Sequence, residues 1–116
     1  MPGSRYRGLT LRVLGKRRPA MGPGKAELIE RIAATGSISA AARAMGMSYR
    51  RAWQLVEALN KDFRERVVTT AAGGTRGGGA RVTPFGKRLV AQYRAMQEKA
   101  SAAIAGDLRR FQRYIP

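Results

Sequence analysis

The stretch that decides the fold is residues 36–60, which read GSISAAARAMGMSYRRAWQLVEALN. Ala40, Ala41, Ala42 and Ala44 place small side chains where two helices would cross closely, and Gly46 allows a tight turn without a bulky side chain. Apolar residues with helical spacing follow this turn. A short helix, a turn and a second helix in this order predict a helix-turn-helix.

The second of these helices, predicted from residue 49 to about residue 63, is amphipathic. Its apolar residues recur at the spacing i, i+3, i+4 and i+7 and define a buried face, which consists of Ala52, Leu55, Val56 and Leu59. Arg50, Gln54 and Glu57 fall on the opposite side. The helix therefore presents a polar face to solvent.

This polar face begins with side chains that suit double-stranded DNA. The first residues of a recognition helix reach base edges in the major groove, where arginine pairs with guanine and glutamine with adenine. Arg50 and Gln54 are therefore predicted to read bases. Ser48 and Tyr49, at the start of the helix, are predicted to bind phosphate, and Glu57 is predicted to be solvated or ion-paired.

Four further residues of the two helices join the predicted DNA contacts. Ser37 or Ser39 can cap the first helix, and both belong to the predicted contact set. Arg51 and Trp53 flank the reading face of the second helix. Trp53 is predicted to be half-buried support for that face rather than a base contact.

A glycine-rich segment, residues 71–81, follows between two short predicted strands. A phosphate-binding loop would need Lys and then Ser or Thr after its last glycine, but Gly79 is followed by Ala80. A β-wing fits better, because glycines let the backbone approach DNA while Arg76 and Arg81 contact phosphates or the minor groove. A plain hairpin tip is the alternative.

The other predicted elements frame this unit. They are a strand across residues 9–13, a loop at 15–24, a helix at 25–34 that Gly36 ends, strands at 67–70 and 81–83, and a helix at 84–104 capped by Thr83. Residues 1–8 are predicted to be a flexible basic arm, residues 9–104 the folded domain and residues 105–116 a basic tail. In the tail, Asp107 is a predicted helix cap above a weak apolar stripe.

The long helix carries apolar residues at a spacing close to a heptad, and they include Phe85, Leu89, Tyr93, Met96 and Ile104. Packing within the chain's own domain would explain them, but we favour a contact between two copies. A two-fold dimer would place two recognition helices about 34 Å apart, one turn of DNA. The preferred DNA would then be nearly palindromic.

The charge balance also points to a polyanion. The chain has 23 Lys and Arg against 7 Asp and Glu, a net charge of +16, and such a field attracts nucleic acid. Lys16, Arg17 and Arg18 in the loop at 15–24 are predicted to add phosphate contacts. The absence of Cys and His excludes zinc fingers and Cys or His catalysis. We expect no enzyme, no metal, no membrane partner and a cytoplasmic location.

Four motifs together resemble one known family of regulators. They are GPGKAELIERI at 22–32, TGSISAAAR at 35–43, MSYRRAW at 47–53 and ARVTPFG at 80–86. They look like the N-terminal DNA-binding domain of the bacterial, molybdate-responsive ModE regulators and, more distantly, like the winged helix-turn-helix of LysR-type regulators. The resemblance covers roughly residues 9–100.

The resemblance implies a mainly helical winged helix-turn-helix with a small β-wing, a homodimer, and operator DNA as ligand. It places residues 48–51 at the start of the recognition helix and Arg76 and Arg81 on the wing. Full-length members carry a C-terminal pair of molybdate-binding modules, and the sequence ends at Pro116. We therefore expect no cofactor, with molybdate or tungstate suggested by the resemblance alone.

Three functions remain open at this point. The first is a transcriptional regulator that binds a specific operator as a homodimer. The second is a nucleoid-type protein that binds DNA largely without regard to sequence, as the charge would allow. The third is an adaptor whose long helix or tail docks on another protein.

Overall fold

The computed structural model describes residues 8–71 and 79–116. Within these ranges the chain is a winged helix-turn-helix, mostly helical with two small antiparallel sheets. The elements in chain order are β1 (Val13–Leu14), β2 (Pro19–Met21), α1 (Pro23–Thr35), α2 (Ile38–Ala44), α3 (Tyr49–Asp62), β3 (Val68–Ala71), β4 (Gly79–Val82), α4 (Pro84–Ala103) and α5 (Ala105–Gln112).

The core forms where α1, α2 and α3 meet. Helix α1 contributes Leu28, Ile29 and Ile32, all fully or almost fully buried. Ala41 and Ala42 of α2 are buried at the crossing, as the sequence predicts for small residues, whereas Ala44 is exposed. From α3, the predicted buried face is confirmed, because Ala52, Val56 and Leu59 are buried and Leu55 packs against them.

Glycines end α1 and make the turn between α2 and α3, because both positions need a left-handed backbone. Gly36 has φ of 69° and donates its backbone N–H to the carbonyl of Ile32, so it ends α1 as predicted. Gly46 also has φ of 69°, yet an added Cβ there would meet nothing within 4 Å. The turn therefore requires glycine for its backbone conformation rather than for lack of space.

Hydroxyl groups cap three of the helices. Ser37 caps α2 by accepting from the Ala40 N–H at 3.0 Å, Ser48 caps α3 by accepting from Arg51, and Thr83 caps α4 by accepting from Gly86. Of the two predicted caps for α2, Ser37 is therefore the one used. Each cap satisfies a backbone donor that the first helical turn leaves free.

The wing is an antiparallel pair in which Val68 faces Val82 and Ala71 faces Gly79. The predicted strands were each displaced by one or two residues. The Ala80 N–H donates to the carbonyl of Gly36, which attaches the pair to the end of α1, and the Thr83 hydroxyl donates to the carbonyl of Arg66, which closes the base of the wing. The predicted wing tip with Arg76 lies outside the described residues, as do residues 1–7 of the predicted arm.

The N-terminal prediction was partly wrong. The expected strand at 9–13 is confined to Val13–Leu14, and its partner Pro19–Met21 lies inside the expected loop. Leu11 lies outside any strand, and its carbonyl accepts a 2.6 Å hydrogen bond from the Tyr93 hydroxyl. A side chain of α4, rather than a neighbouring strand, thus binds this segment.

The C-terminal tail differs from the prediction as well. It contains a helix, α5, which follows α4 directly through Ile104. Asp107 does not cap α5; it lies in the first turn and forms an ion pair with Arg110 at 2.6 Å. An acidic residue at that position still interacts favourably with the positive end of the helix dipole.

Gly86 provides a test of this packing. A Cβ at Gly86 would lie 2.5 Å from the carbonyl oxygen of Val67 and 2.8 Å from Cγ1 of Val82. We expect Gly86→Ala to lower the free energy of unfolding by about 1–3 kcal/mol. Gly106→Ala, also in a helix, would meet only flexible arginine ends at 3.6 Å or more, and should raise it by up to about 1 kcal/mol. Urea denaturation of both variants measures this, and equal effects would contradict the proposed clash.

Candidate nucleic-acid interface

The exposed face of α3 is the centre of the candidate interface. Arg50, Gln54 and Glu57 are all exposed, opposite the buried residues of the same helix. The Ser48 cap fixes the start of the helix, so the first two turns project from the domain in a defined direction. This surface carries donors from Arg50 and Gln54 and acceptors from Gln54 and Glu57, of the kind that read base edges.

One side of α3 faces the wing. A cleft of about 140 Å³ brings together three predicted contacts, Ser37, Ser39 and Tyr49, with Thr70 of β3. Ser39 and Tyr49 are exposed there, whereas the Ser37 oxygen is engaged as a helix cap. The cleft therefore places hydroxyl groups from α2, α3 and β3 beside one another.

Further along α3, the same side forms a second groove of about 410 Å³ against β3. Trp53 lies at its edge with 37% of its surface exposed, and Lys61 and Arg66 add positive charge. The supporting role predicted for Trp53 stays a prediction. Arg81, the described basic residue of the predicted wing, is exposed and lies opposite Thr69 in the strand pair.

Asn60 joins α3 to the wing through its side-chain amide. Its Oδ1 accepts from the backbone N–H groups of Val67 at 2.8 Å and Val68 at 3.1 Å, and its Nδ2 donates to the Val68 carbonyl at 2.9 Å. These bonds fix the last turn of the recognition helix to the first residue of β3. The reading face and the wing are therefore held as one unit.

The opposite side of α3 faces the β1–β2 pair across a larger groove of about 750 Å³, which we call the hairpin groove. Its polar lining consists of Thr10, Arg12, Arg18, Lys25, Arg51 and Gln54. Lys25 donates to the carbonyl of Pro19 at 2.8 Å. Burial lowers the pKa of Lys25, and the neighbouring positive charges lower it further, against the opposing effect of Asp62.

Arg18, which lines this groove, has a specific partner at the end of α3. Its Nε and Nη2 donate to the two carboxylate oxygens of Asp62, at 2.8 and 2.9 Å, which ties the β1–β2 pair to the end of α3. The hydrogen bond from Arg18 holds the pKa of Asp62 below its usual value. The pair is therefore intact at neutral pH and is lost as the pH falls through that lowered value. Lys16 and Arg17, the other predicted contacts of this loop, are exposed.

The residues predicted to join two copies divide into two groups. Phe85 and Leu89 pack against the chain's own core, and Tyr93 is only 2% exposed. Ile104 is partly buried between α4 and α5, whereas Met96 is 45% exposed. Tyr93 thus belongs to the chain's own core. The C-terminal half of α4, which includes Met96, is the part that remains accessible.

Sequence reasoning missed three residues that the structure brings to the interface. In the sequence, Asn60 looks like an ordinary polar residue of α3. Its amide group, near the end of an amphipathic helix, was the available signal for hydrogen bonds to backbone groups. Arg12 and Lys25 flank the misassigned loop. Their role depends on the β1–β2 pairing, which no local pattern indicated.

A helix-turn-helix with an attached wing and an exposed, partly basic recognition helix defines a DNA-binding regulator. Residues 24–87 match the family described as bacterial regulatory helix-turn-helix protein, lysR family, and the chain belongs to this family. Members are transcriptional regulators.

Several curated relatives are molybdenum-related proteins. The chain is 47% identical over 91 residues to the molybdenum-pterin-binding protein MopB of Rhodobacter capsulatus, which covers 78% of this chain and 33% of that protein. It is 36% identical over 88 residues to the DNA-binding transcriptional dual regulator ModE of Escherichia coli K12, covering 73% of this chain and 34% of that protein. The chain thus spans about a third of the length of these relatives.

Among solved structures, the chain is similar to the full-length LTTR LysG of Corynebacterium glutamicum with bound effector Arg. The TM-score is 0.53 at 27% sequence identity, over 76% of this chain and 29% of that chain. This likeness supports the winged helix-turn-helix assignment. In the described ranges, no helix combines the length and apolarity that a membrane crossing needs.

Removing the Asn60 amide tests the junction between helix and wing. Asn60→Ala loses all three hydrogen bonds and leaves backbone groups of Val67 and Val68 without their partner. We expect the free energy of unfolding to fall by about 2–3 kcal/mol. Gln54→Ala, an exposed amide on the same helix, should change it by less than about 0.5 kcal/mol. Equal losses in urea denaturation would show that Asn60 has no special role.

Proposed function

We propose that this chain binds specific, nearly palindromic operator DNA as a homodimer and regulates transcription from it. One observation carries the proposal. Arg50 and Gln54 lie exposed on the first turns of α3, and the Ser48 cap and the Asn60 amide fix both ends of that helix. A pre-positioned helix lowers the cost of ordering side chains on binding.

In this proposal, α3 enters the major groove, with Arg50 and Gln54 on base edges. Ser39 and Tyr49 contact phosphates from the cleft beside the wing, since both are exposed there. Arg81 extends the contact along the wing. Such phosphate contacts set the register of the protein on the duplex, while the base contacts give the sequence preference.

The homodimer is proposed from the exposed apolar residues of the C-terminal part. Met96 on α4 and Phe111, Tyr114 and Ile115 at the end of the chain are exposed at between 45% and 82%. Burying them against a second copy would remove apolar surface from water. The second copy would also supply the second recognition helix that a palindromic site requires.

We propose that DNA binding by these residues needs no molybdate or other cofactor. The recognition helix and wing are held by contacts within the chain, such as those of Asn60 and Thr83, so no ligand is needed to align them. The affinity for the selected duplex is expected to be the same with and without added molybdate or tungstate. A change would mean that an oxyanion controls binding.

Selection from a random duplex pool tests the proposal directly. We expect an enriched sequence with two half-sites, their centres about 10 base pairs or a multiple of that apart. The selected duplex should bind at least about 10³ times more tightly than random DNA at physiological salt. A pool without enrichment would favour the nucleoid-type alternative, which the net charge of +16 also supports. A single half-site would count against the homodimer.

The reading face is tested by comparing three variants. Arg50→Ala should weaken binding to the selected duplex by about 1–3 kcal/mol and relax the preference at one base position. Lys16→Ala should weaken binding to all sequences alike, because a phosphate contact carries no base information. Lys99→Ala, in the C-terminal half of α4, is the control. It also removes one positive charge and should change the affinity little. If Arg50→Ala and Lys16→Ala both act uniformly, the assignment of Arg50 to bases is wrong.

A further inference from the structure

The β1–β2 hairpin, residues 13–21, lies outside the segment that matches the family model. The segment that matches the LysR family begins at residue 24, so the hairpin precedes it. Yet the hairpin packs beside α3 and forms one wall of the hairpin groove. The recognition helix therefore has a structural element on each side, the wing on one and this hairpin on the other.

The positive charge that lines the groove exceeds what the nearby carboxylate of Asp62 can balance. Arg12, Lys25 and Arg51 all line it. Both carboxylate oxygens of Asp62 already accept hydrogen bonds from Arg18, through Nε and Nη2. The lowered pKa of Lys25 reports the burial of its ammonium and the repulsion from Arg18, Arg51 and Arg12. An anion in the groove would relieve that repulsion.

The position of the groove indicates which anion. Gln54 belongs to the exposed reading face and also lines the groove, and Arg51 lies next to Arg50 at the start of the same helix. The groove therefore opens directly beside the surface proposed to read bases. When a recognition helix lies in the major groove, the surfaces at its sides meet the sugar-phosphate backbone.

We propose that the hairpin groove is a second phosphate clamp, in which Arg12, Lys25 and Arg51 bind the DNA backbone on the side of α3 away from the wing. This inference rests on the proposed function, since it concerns the same bound duplex. Arg18 is a positioning residue here rather than a phosphate contact, because its guanidinium holds the hairpin to Asp62. Lys16 and Arg17, exposed between the two strands, extend the clamp along the backbone.

The salt dependence of binding tests the clamp in the full chain. The double variant Arg12→Ala, Lys25→Ala should reduce the slope of log affinity against log salt by about 1.8, since each phosphate contact contributes about 0.9. At about 150 mM salt, the affinities for selected and random duplexes should both fall by roughly 10- to 30-fold. The charge-conserving double variant Arg12→Lys, Lys25→Arg should keep the slope, which separates lost contacts from a damaged fold.

The matched control removes two charges elsewhere. Arg88 and Lys99 are exposed on α4, and the double variant Arg88→Ala, Lys99→Ala lowers the net charge by the same amount. Its salt slope should remain within about 0.5 of the unaltered chain. If this control loses as much slope as the groove variant, or if the groove variant loses none, the clamp is overturned.

Hydroxyl-radical footprinting locates the contact on the duplex. The unaltered chain should protect backbone positions on both sides of the bases that α3 reads, and the groove variant should lose protection on one side only. If inorganic phosphate stabilises the unaltered chain against urea more than chloride does at matched ionic strength, while the groove variant keeps the full DNA affinity and footprint, the groove is a site for a free anion and the clamp is overturned. If the unaltered chain binds no duplex at all, the proposed function itself fails.

The change in DNA affinity caused by Asp62→Asn tests whether Arg18 positions the hairpin, because the two explanations predict changes of opposite sign. The variant is more positive by one charge, so attraction alone would raise the affinity for DNA. If the bridge positions the hairpin, affinity should instead fall several-fold and the protection on the hairpin side should weaken. An increase in affinity with an unchanged footprint would show that Arg18 does not position the clamp.

Discussion

The contact on which this structure depends most is the amide of Asn60. It binds backbone groups of Val67 and Val68 at the point where α3 ends and the wing begins. An amide suits this position because it both accepts and donates, so it can satisfy N–H and C=O groups that a short strand leaves free. The orientation of the wing relative to the recognition helix follows from these bonds.

A second set of contacts extends this unit to α1 and α4. Thr83 uses its hydroxyl twice, since it donates to the carbonyl of Arg66 and accepts from the Gly86 N–H at the start of α4. Gly36 likewise ends α1 and accepts from Ala80 of the wing. The wing is thus held at both edges of its base by residues that also begin or end a helix.

Short-range chemistry explains which parts of the fold could be predicted. The caps at Ser48 and Thr83 act on a backbone donor three residues away, so the sequence pattern contains both partners. The pairing of Arg18 with Asp62 and of Tyr93 with Leu11 spans 44 and 82 residues. Neither pairing leaves a periodic signal, which is why β2 was predicted as part of a loop and Tyr93 as part of a contact between two copies.

The candidate site shows the same division. The exposed face of α3 could be predicted from helical spacing alone. Which basic residues form ion pairs with carboxylates could be seen only in the folded structure. Among the residues that the structure describes, five acidic side chains form ion pairs, with Arg18, Arg31, Arg64, Arg94 and Arg110. An arginine held by a carboxylate contributes less to phosphate binding than an unpaired one, because the ion pair must first be exchanged. The net charge of +16 therefore measures the attraction to a polyanion at long range. The number of DNA phosphates that the chain contacts depends instead on which basic side chains near α3 have no carboxylate partner.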